Sequence, residues 1–404
     1  MLFNKSRLAI EVLIIMTSLI RDSRALSSSM LHLSRRRQHC ELSVQAHIGK
    51  AVMEAFHNHP GVRNDYPSAD SSKACFPIYY NDVYEFELPP HHRFPMQKYA
   101  KVRNMVQSSI LAVDSAHINH KSEIQCDFRV SPLATWDQIT TTHCPNYLLR
   151  FLTGDQTEQE RRNVGFPWSQ NGVKRALSST GGTIAAACAV CDALISRKTT
   201  TVPVWAAHLA GGTHHAFYDR GEGFCVFSDI AVAANVVLQR YSNIVQRILI
   251  IDLDTHQGNG NAALFQNRSD VATFSLHCSA NYFSPKETST LDVELPAGCT
   301  DETYLVTLRH WLKQIEIQGG RFQLVFLQAG VDILEQDRLG RMSISHDGVR
   351  RRNRLVFDFC KQNNLPLVIT MGGGYPKTTE PWEPILEAHA GCYLEAHEYL
   401  REQF

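Results

Sequence analysis

One stretch constrains this chain more than any other: Arg247-Ile248-Leu249-Ile250-Ile251-Asp252-Leu253-Asp254-Thr255-His256-Gln257-Gly258-Asn259-Gly260. Its short aliphatic run, stopped downstream by Gly and Asn, reads as a strand buried on both faces inside a parallel sheet. The run leads straight into two carboxylates and an imidazole. Such groups at a buried strand end are costly unless they are paired or bound to metal. In open α/β sheets, ligands bind beyond the carboxyl ends of the strands. Alternation along a strand would put Asp252, Asp254 and His256 on one face if the extended geometry continued. An Asp-rich turn that merely closes the strand is the plainer alternative for these residues alone.

The rest of the chain repeats the pattern. Residues 75–89 read as a first strand and its exit, and 202–209, 271–278, 324–332 and 365–374 as further strands. Helical patterns separate most of them. Strand–helix alternation predicts an α/β fold whose mainly parallel sheet is covered on both faces. A long helical pattern, GVKRALSSTGGTIAAACAVCDALIS, is interrupted by Gly181-Gly182. Its Cys188-x-x-Cys191 pair sits among alanines, which favours two packed core cysteines over a zinc or redox pair.

Lys+Arg and Asp+Glu are both 40, which argues against a general electrostatic grip on nucleic acid. The 11 cysteines are odd in number and scattered, as reduced thiols are. Residues 1–40 differ from the remainder: they are rich in Arg and Ser, with only Glu11 and Asp22 acidic. LAIEVLIIMTSLI is too short for a confident membrane span, and with the basic, hydroxyl-rich segment after it resembles an organelle-targeting presequence, or less well a signal peptide. A disordered tail is the alternative. Residues 1–72 are therefore expected to be an extension outside the compact core, and 73–404 one catalytic domain.

Four strand candidates end in polar or glycine-rich loops, AGGTHHAFYDRGEGFC, DLDTHQGNG, GVDILEQDRLG and GGGY. Loops at one sheet edge form one site. Asp254, His256 and Asp332 supply two carboxylates and one imidazole, a set with open positions that suits catalytic Zn²⁺, with Fe²⁺ or Co²⁺ as alternatives. A metal so held acts as a Lewis acid and lowers the pKa of a bound water. The adjacent His214-His215 suits proton transfer beside such a metal. Tyr375, after three glycines, can donate to a developing oxyanion.

These pieces, together with FSLH, resemble the histone deacetylase family of the arginase/deacetylase fold, in family order from about 75 to 395. PPHHRFPMQKY, GFPWS and the Asn of HQGNG look more like its class IV and bacterial-like branch than its large nuclear class I enzymes. The resemblance implies a three-layer α/β/α domain with zinc on Asp254, His256 and Asp332. It also implies a catalytic pair His214 and His215, with His215 as general base and then acid, and Tyr375 polarising the acyl carbonyl. Asp252 matches the carboxylate behind His214, and Asn259 the position behind His215. A structural monovalent cation, K⁺, is implied near Asp252, Asp254, His256, Ser275 and Leu276. Gly223 and Phe224 would line the acyl-lysine tunnel, with Leu339 at its rim and Tyr282 or Phe283 opposite. Asn259 departs from the Asp that many members carry, and RRNVGFPWSQ offers no match to the rim Asp that clamps a peptide backbone.

The expectation is a zinc amidohydrolase that removes acyl groups from Nε-acyl-lysine of histones or other proteins, with a role in chromatin regulation. No direct nucleic-acid binding and no stable membrane span are expected. Small acylated amines such as acetylpolyamines are an alternative substrate class, and a silent acyl-lysine-binding scaffold is a non-enzymatic alternative. The location is an organelle, mitochondrial or plastid, if the presequence operates, and otherwise the nucleus or cytoplasm.

Overall fold

The computed structural model describes residues 32–58, 74–116, 124–196, 203–281, 284–318, 320–377 and 381–403. In chain order these residues form α1 (His32–His57), β1 (Ala74–Tyr80), α2 (Lys98–Ala116), β2 (Ile124–Val130), α3 (Trp136–Ile139), α4 (Pro145–Thr153), α5 (Glu158–Val164) and α6 (Gln170–Ser196). There follow β3 (Trp205–His208), α7 (Asp229–Arg240), β4 (Ile248–Asp252), α8 (Asn259–Phe265), β5 (Val271–Cys278) and β6 (Leu291–Leu295). The last elements are α9 (Asp301–Gln318), β7 (Leu324–Gln328), α10 (His346–Gln362), β8 (Leu367–Thr370) and α11 (Glu383–Arg401).

The strands form a single 8-stranded sheet in the order β2-β1-β3-β8-β7-β4-β5-β6. Every pairing is parallel. The central strands explain the unbroken apolar runs. Leu249, Ile251, Val325, Leu327, Leu367 and Ile369 face one core with α2, α9, α10 and α11. Their neighbours Ile248, Ile250, Leu324, Phe326 and Val368 face a second core with α6 and α7. Both faces are dry, so alternation of side chains produces no alternation of polarity. This is the three-layer α/β/α arrangement expected.

Three details differ from the sequence reading. β2 and β6 were not anticipated. Both are edge strands, paired on one side only, and their IQCDFRV and LDVEL patterns carry the charge that edges tolerate. Gly181-Gly182 do not interrupt α6, which runs through them. They permit close approach instead: a Cβ on Gly181 would stand 2.2 Å from the Pro132 carbonyl oxygen, and one on Gly182 2.4 Å from His208 Nε2. By length and composition α6 would suffice to cross a membrane. Here it is a core helix, with Val173, Leu177, Ile184 and Val190 buried. Cys188 and Cys191 pack in the same core as free thiols.

The third difference is α1. Residues before about 72 were expected outside the core, yet Met53 and Phe56 are buried in it, and Gln45 bonds Asn146 on α4. The apolar spacing of AVMEAFH is what allows this docking. Residues 1–31 and 59–73, and with them most of the presequence reading, lie outside the described residues. Phe56→Ala is expected to destabilise the protein by about 3 kcal/mol, read from urea unfolding. An unchanged midpoint would show that the helix only leans on the domain.

Candidate active site

The site stands beyond the carboxyl ends of β3, β4, β7 and β8. Strand β4 stops at Asp252, so its alternation ends there. A turn follows in which Asp252 Oδ1 accepts the Asp254 backbone N–H at 3.2 Å and Asp254 Oδ1 accepts that of His256 at 3.0 Å. The turn separates the three side chains into two tasks.

Asp254 and His256 meet Asp332, which arrives from the loop after β7. One donor atom from each lies within 4.8 Å of the others. His256 Nδ1 is 3.2 Å from Asp254 Oδ1 and 3.1 Å from Asp332 Oδ2. Burial and the neighbouring Asp254 carboxylate push the Asp332 carboxyl up to about 8. Two buried carboxylates this close cannot both be ionised cheaply unless a cation stands between them. The donor set, its convergence and this electrostatic conflict fit a divalent metal. The backbone leaves room for the group: a Cβ on Gly373 would fall 2.4 Å from Asp332 Oδ2 and 2.7 Å from Asp254 Oδ2.

Asp252 instead faces His214, with Oδ2 2.7 Å from His214 Nδ1. Burial alone would lower this imidazole. The Asp252 and Asp254 carboxylates outweigh burial and raise it to about 9. His215 has the opposite character. Its Nδ1 is 2.7 Å from Asn259 Oδ1, while Asn259 Nδ2 donates to the Pro285 carbonyl, which fixes the amide's orientation. Nδ1–H is therefore the donor and Nε2 carries the lone pair. Burial, then the charges of His214 and His256, hold His215 well below its ordinary value. The two rings are 3.9 Å apart, one holding a proton and the other ready to take one.

Tyr375 closes the opposite side. Its ring centroid is 6.1 Å from that of Phe224. Burial, with the Asp254 and Asp332 charges, holds the phenol well above its ordinary value, so it stays a hydrogen-bond donor. Phe224 has φ +67° and Gly223 φ +53°. A left-handed Phe is strained, and it is pinned by Gly223 N–H to the Asn163 carbonyl at 3.0 Å and Phe224 N–H to that of Val164 at 2.9 Å. Around the Phe224 ring stand Phe94, Phe166 and His92, at centroid distances of 5.2, 5.4 and 6.0 Å. Leu339 lies on a turn whose carbonyl accepts Asn281 Nδ2 at 2.8 Å. Asp252 pairs in register with Ser275 on β5, next to Leu276. Tyr282 and Phe283 lie outside the described residues.

Sequence reasoning missed the residues that hold these loops. Asp229 accepts the backbone N–H of Gly212 and Thr213 and the hydroxyls of Thr213 and Thr183, fixing the loop before the histidines. Asp337 accepts the N–H of Leu339, Gly340 and Tyr375, tying the tyrosine to the Leu339 turn. Lys98 is fully buried and donates to the carbonyls of Gly372 and Gly374, with Nζ 5.3 Å from the Tyr375 ring centroid. Burial lowers its ammonium to about 8 against the pull of Asp332. Only Asp229 and Asp337 had a signal, as acids inside FSD and EQDRLG beside the chemistry.

Residues 92–388 match the histone deacetylase domain model. The chain is 37% identical over 302 residues to an uncharacterized protein of Picosynechococcus sp., covering 75% of this chain and 93% of that protein. It is 36% identical over 191 residues to histone deacetylase 2 of Arabidopsis thaliana, covering 46% of this chain and 48% of the relative. Against histone deacetylase 1 of Homo sapiens it is 29% identical over 263 residues, covering 60% and 51%. The match thus spans about half the length of these two named deacetylases. The crystal structure of the HDA15 HD domain superposes with a TM-score of 0.61 at 19% identity, covering 80% of this chain and 90% of that one. That likeness speaks for the fold.

Proposed function

The chain belongs to the histone deacetylase family, and from that premise we propose that it hydrolyses the amide of an Nε-acyl-lysine, with a divalent metal, zinc first among them, on Asp254, His256 and Asp332. The observation that carries the reading is the unequal histidine pair. His214 is backed by a carboxylate and His215 by a neutral amide, beside a buried metal-type donor set and a protonated phenol.

The metal would polarise the acyl carbonyl and lower the pKa of a water. His215 Nε2 takes the proton of the attacking water, because burial keeps that ring neutral near pH 7. The same ring then returns the proton to the departing lysine amine. His214, held protonated by Asp252, contributes positive charge beside the reacting centre. The Tyr375 hydroxyl donates to the carbonyl oxygen as negative charge builds on it. Gly223 and Phe224, with Leu339, border the acyl-lysine stem in this reading. A structural K⁺ belongs to the same proposal, at the β4–β5 junction of Asp252, Ser275 and Leu276.

Peptidyl acyl-lysine is the substrate class of this proposal, and the rings packed around Phe224 are Phe94, Phe166 and His92; acetylpolyamine is the competing class that a substrate screen separates. A silent scaffold would tolerate a broken ligand set, whereas every ligand type is present and convergent. Histones are one candidate protein substrate, which would make chromatin regulation the role. A metal-loaded activity screen tests the reading with acetyl-lysine peptides, longer-acyl peptides and acetylpolyamines. Turnover of polyamines alone, or of nothing, would overturn it.

The Asn259 partner makes a pH prediction. A carboxylate behind His215 would stabilise its imidazolium and raise its pKa, where the amide supplies no charge. A base must start neutral, so Asn259→Asp is expected to move the acidic limb of the kcat/KM profile to higher pH. An unmoved limb with metal content intact would remove Asn259 from this role.

The basic, hydroxyl-rich N-terminal segment supports an organellar location as part of the proposal. Residues 1–40 fused to a reporter are expected to direct it to mitochondria or plastids. A reporter spread through cytosol and nucleus would reject that part alone.

A further inference from the structure

The loop after β5 places one buried amide, that of Asn281, between the metal-type donor set and the Leu339 turn. Its Oδ1 accepts the Arg341 backbone N–H at 3.1 Å and the Thr255 hydroxyl at 3.2 Å, and its Nδ2 donates to the Leu339 carbonyl at 2.8 Å. A backbone N–H can only donate and a carbonyl can only accept, so these bonds fix which end of the amide is nitrogen. That nitrogen stands 3.4 Å from His256 Nε2. Thr255 in turn donates its backbone N–H to Asp332 Oδ1 at 2.9 Å. One side chain thus touches the ring of one candidate ligand, the residue that bonds another, and the turn that carries Leu339.

The amide meets His256 with the wrong polarity for a metal ligand. His256 Nδ1 faces both carboxylates, so it is the nitrogen that would hold a metal. A neutral imidazole that gives its Nδ1 lone pair to a metal carries its proton on Nε2. Metal-bound histidines almost always donate that proton to an acceptor such as a carboxylate or carbonyl, which orients the ring and raises its basicity. On the Asn281 side the Nε2–H meets a second donor, and the bonds to Arg341 and Leu339 keep the amide from turning its oxygen inward.

We propose that Asn281 is a positioning residue with two opposed effects: it fixes the Leu339 turn at the tunnel rim, and it leaves His256 a weaker metal ligand than an acceptor at that position would. The first effect rests on the hydrolytic reading, which sets Leu339 beside the acyl-lysine stem. The second needs only the Asp254–His256–Asp332 donor set.

Asn281→Asp tests both. The carboxylate keeps an acceptor for Arg341 and Thr255, offers an oxygen to the His256 Nε2–H, and opposes the Leu339 carbonyl where the amide bonded it. Zn²⁺ affinity of the full chain, measured by competition with a fluorescent chelator, is expected to rise by about tenfold, the lower end of what such a partner contributes. KM for an acetyl-lysine peptide is expected to rise by about fivefold, the size of one lost hydrogen bond. A residue that merely braces its loop predicts weaker Zn²⁺ binding in any variant, because loosening the loop loosens the ligands. If the Asp variant does not fold, Asn281→Ala decides: Zn²⁺ affinity should be no weaker than in the unaltered chain, while KM rises by a similar factor. Zn²⁺ binding that is unchanged or weaker in a folded Asp variant, or weaker in the Ala variant, would overturn the metal effect. Unchanged KM would overturn the rim effect. A chain that binds Zn²⁺ yet turns over no acyl-lysine would defeat the hydrolytic reading and the rim effect with it, and the Zn²⁺ comparison would still decide the other.

Discussion

His256→Ala is expected to yield a folded protein that holds no stoichiometric divalent metal and has no measurable deacylase activity. The imidazole is one of the three converging donors found among the described residues, and its Nδ1 lies between the other two. Removing it leaves Asp254 and Asp332 as buried carboxylates facing each other. Losing an outer-shell partner of a metal ligand already costs roughly 10–100-fold in affinity or activity; losing the ligand itself should cost more. Metal analysis of the purified variant beside the unaltered protein decides the matter. The reason to expect survival of the fold is that His256 lies in a turn, outside both hydrophobic cores. Full metal occupancy in the variant would end the assignment of this site. In the unaltered protein, chelation should lower the thermal midpoint, since a ligand bound only by the folded state stabilises it.

Tyr375→Phe isolates a single hydroxyl. The ring keeps its place near Phe224 and over Lys98, and the backbone N–H of residue 375 keeps its bond to Asp337 at 2.6 Å. Metal content and unfolding should therefore match the unaltered protein. Turnover should fall by about 10²–10³-fold, the usual cost of one oxyanion donor. The loss should appear in kcat more than in KM, because the bond strengthens as charge develops on the oxygen. Unchanged kcat would mean that another group polarises the carbonyl. A rise in KM alone would make Tyr375 part of the tunnel wall.

Much of this molecule is legible because its chemistry is local in sequence. The Ile248–Ile251 run announces a strand buried on both faces, and the carboxylates and imidazole after it announce a site at that strand's end. Their cost in a dry sheet has no common explanation other than pairing or metal. His214-His215 and Tyr375 are legible for the same reason, since each follows a strand and a glycine turn. What a linear reading could not supply is who holds whom. Lys98 reaches the Gly372 carbonyl across 274 positions, and Gly373 N–H donates to Asp254 across 119. Arg175 looked like one more basic residue on a helix until the fold buried it against Tyr99. β2 and β6 were invisible because an edge strand needs no continuous apolar run, and α1 because a docked helix and a free amphipathic one share a pattern. Asp252 shows the division most clearly. Its sequence spacing placed it with Asp254 and His256, whereas the turn after β4 aimed it at His214. The sequence by itself determined the parallel α/β architecture and the residue types of the site, because burial patterns and desolvation costs are properties of short segments. Only the tertiary structure decided the division of labour among those residues, because a side chain's partner is set by where distant backbone places it.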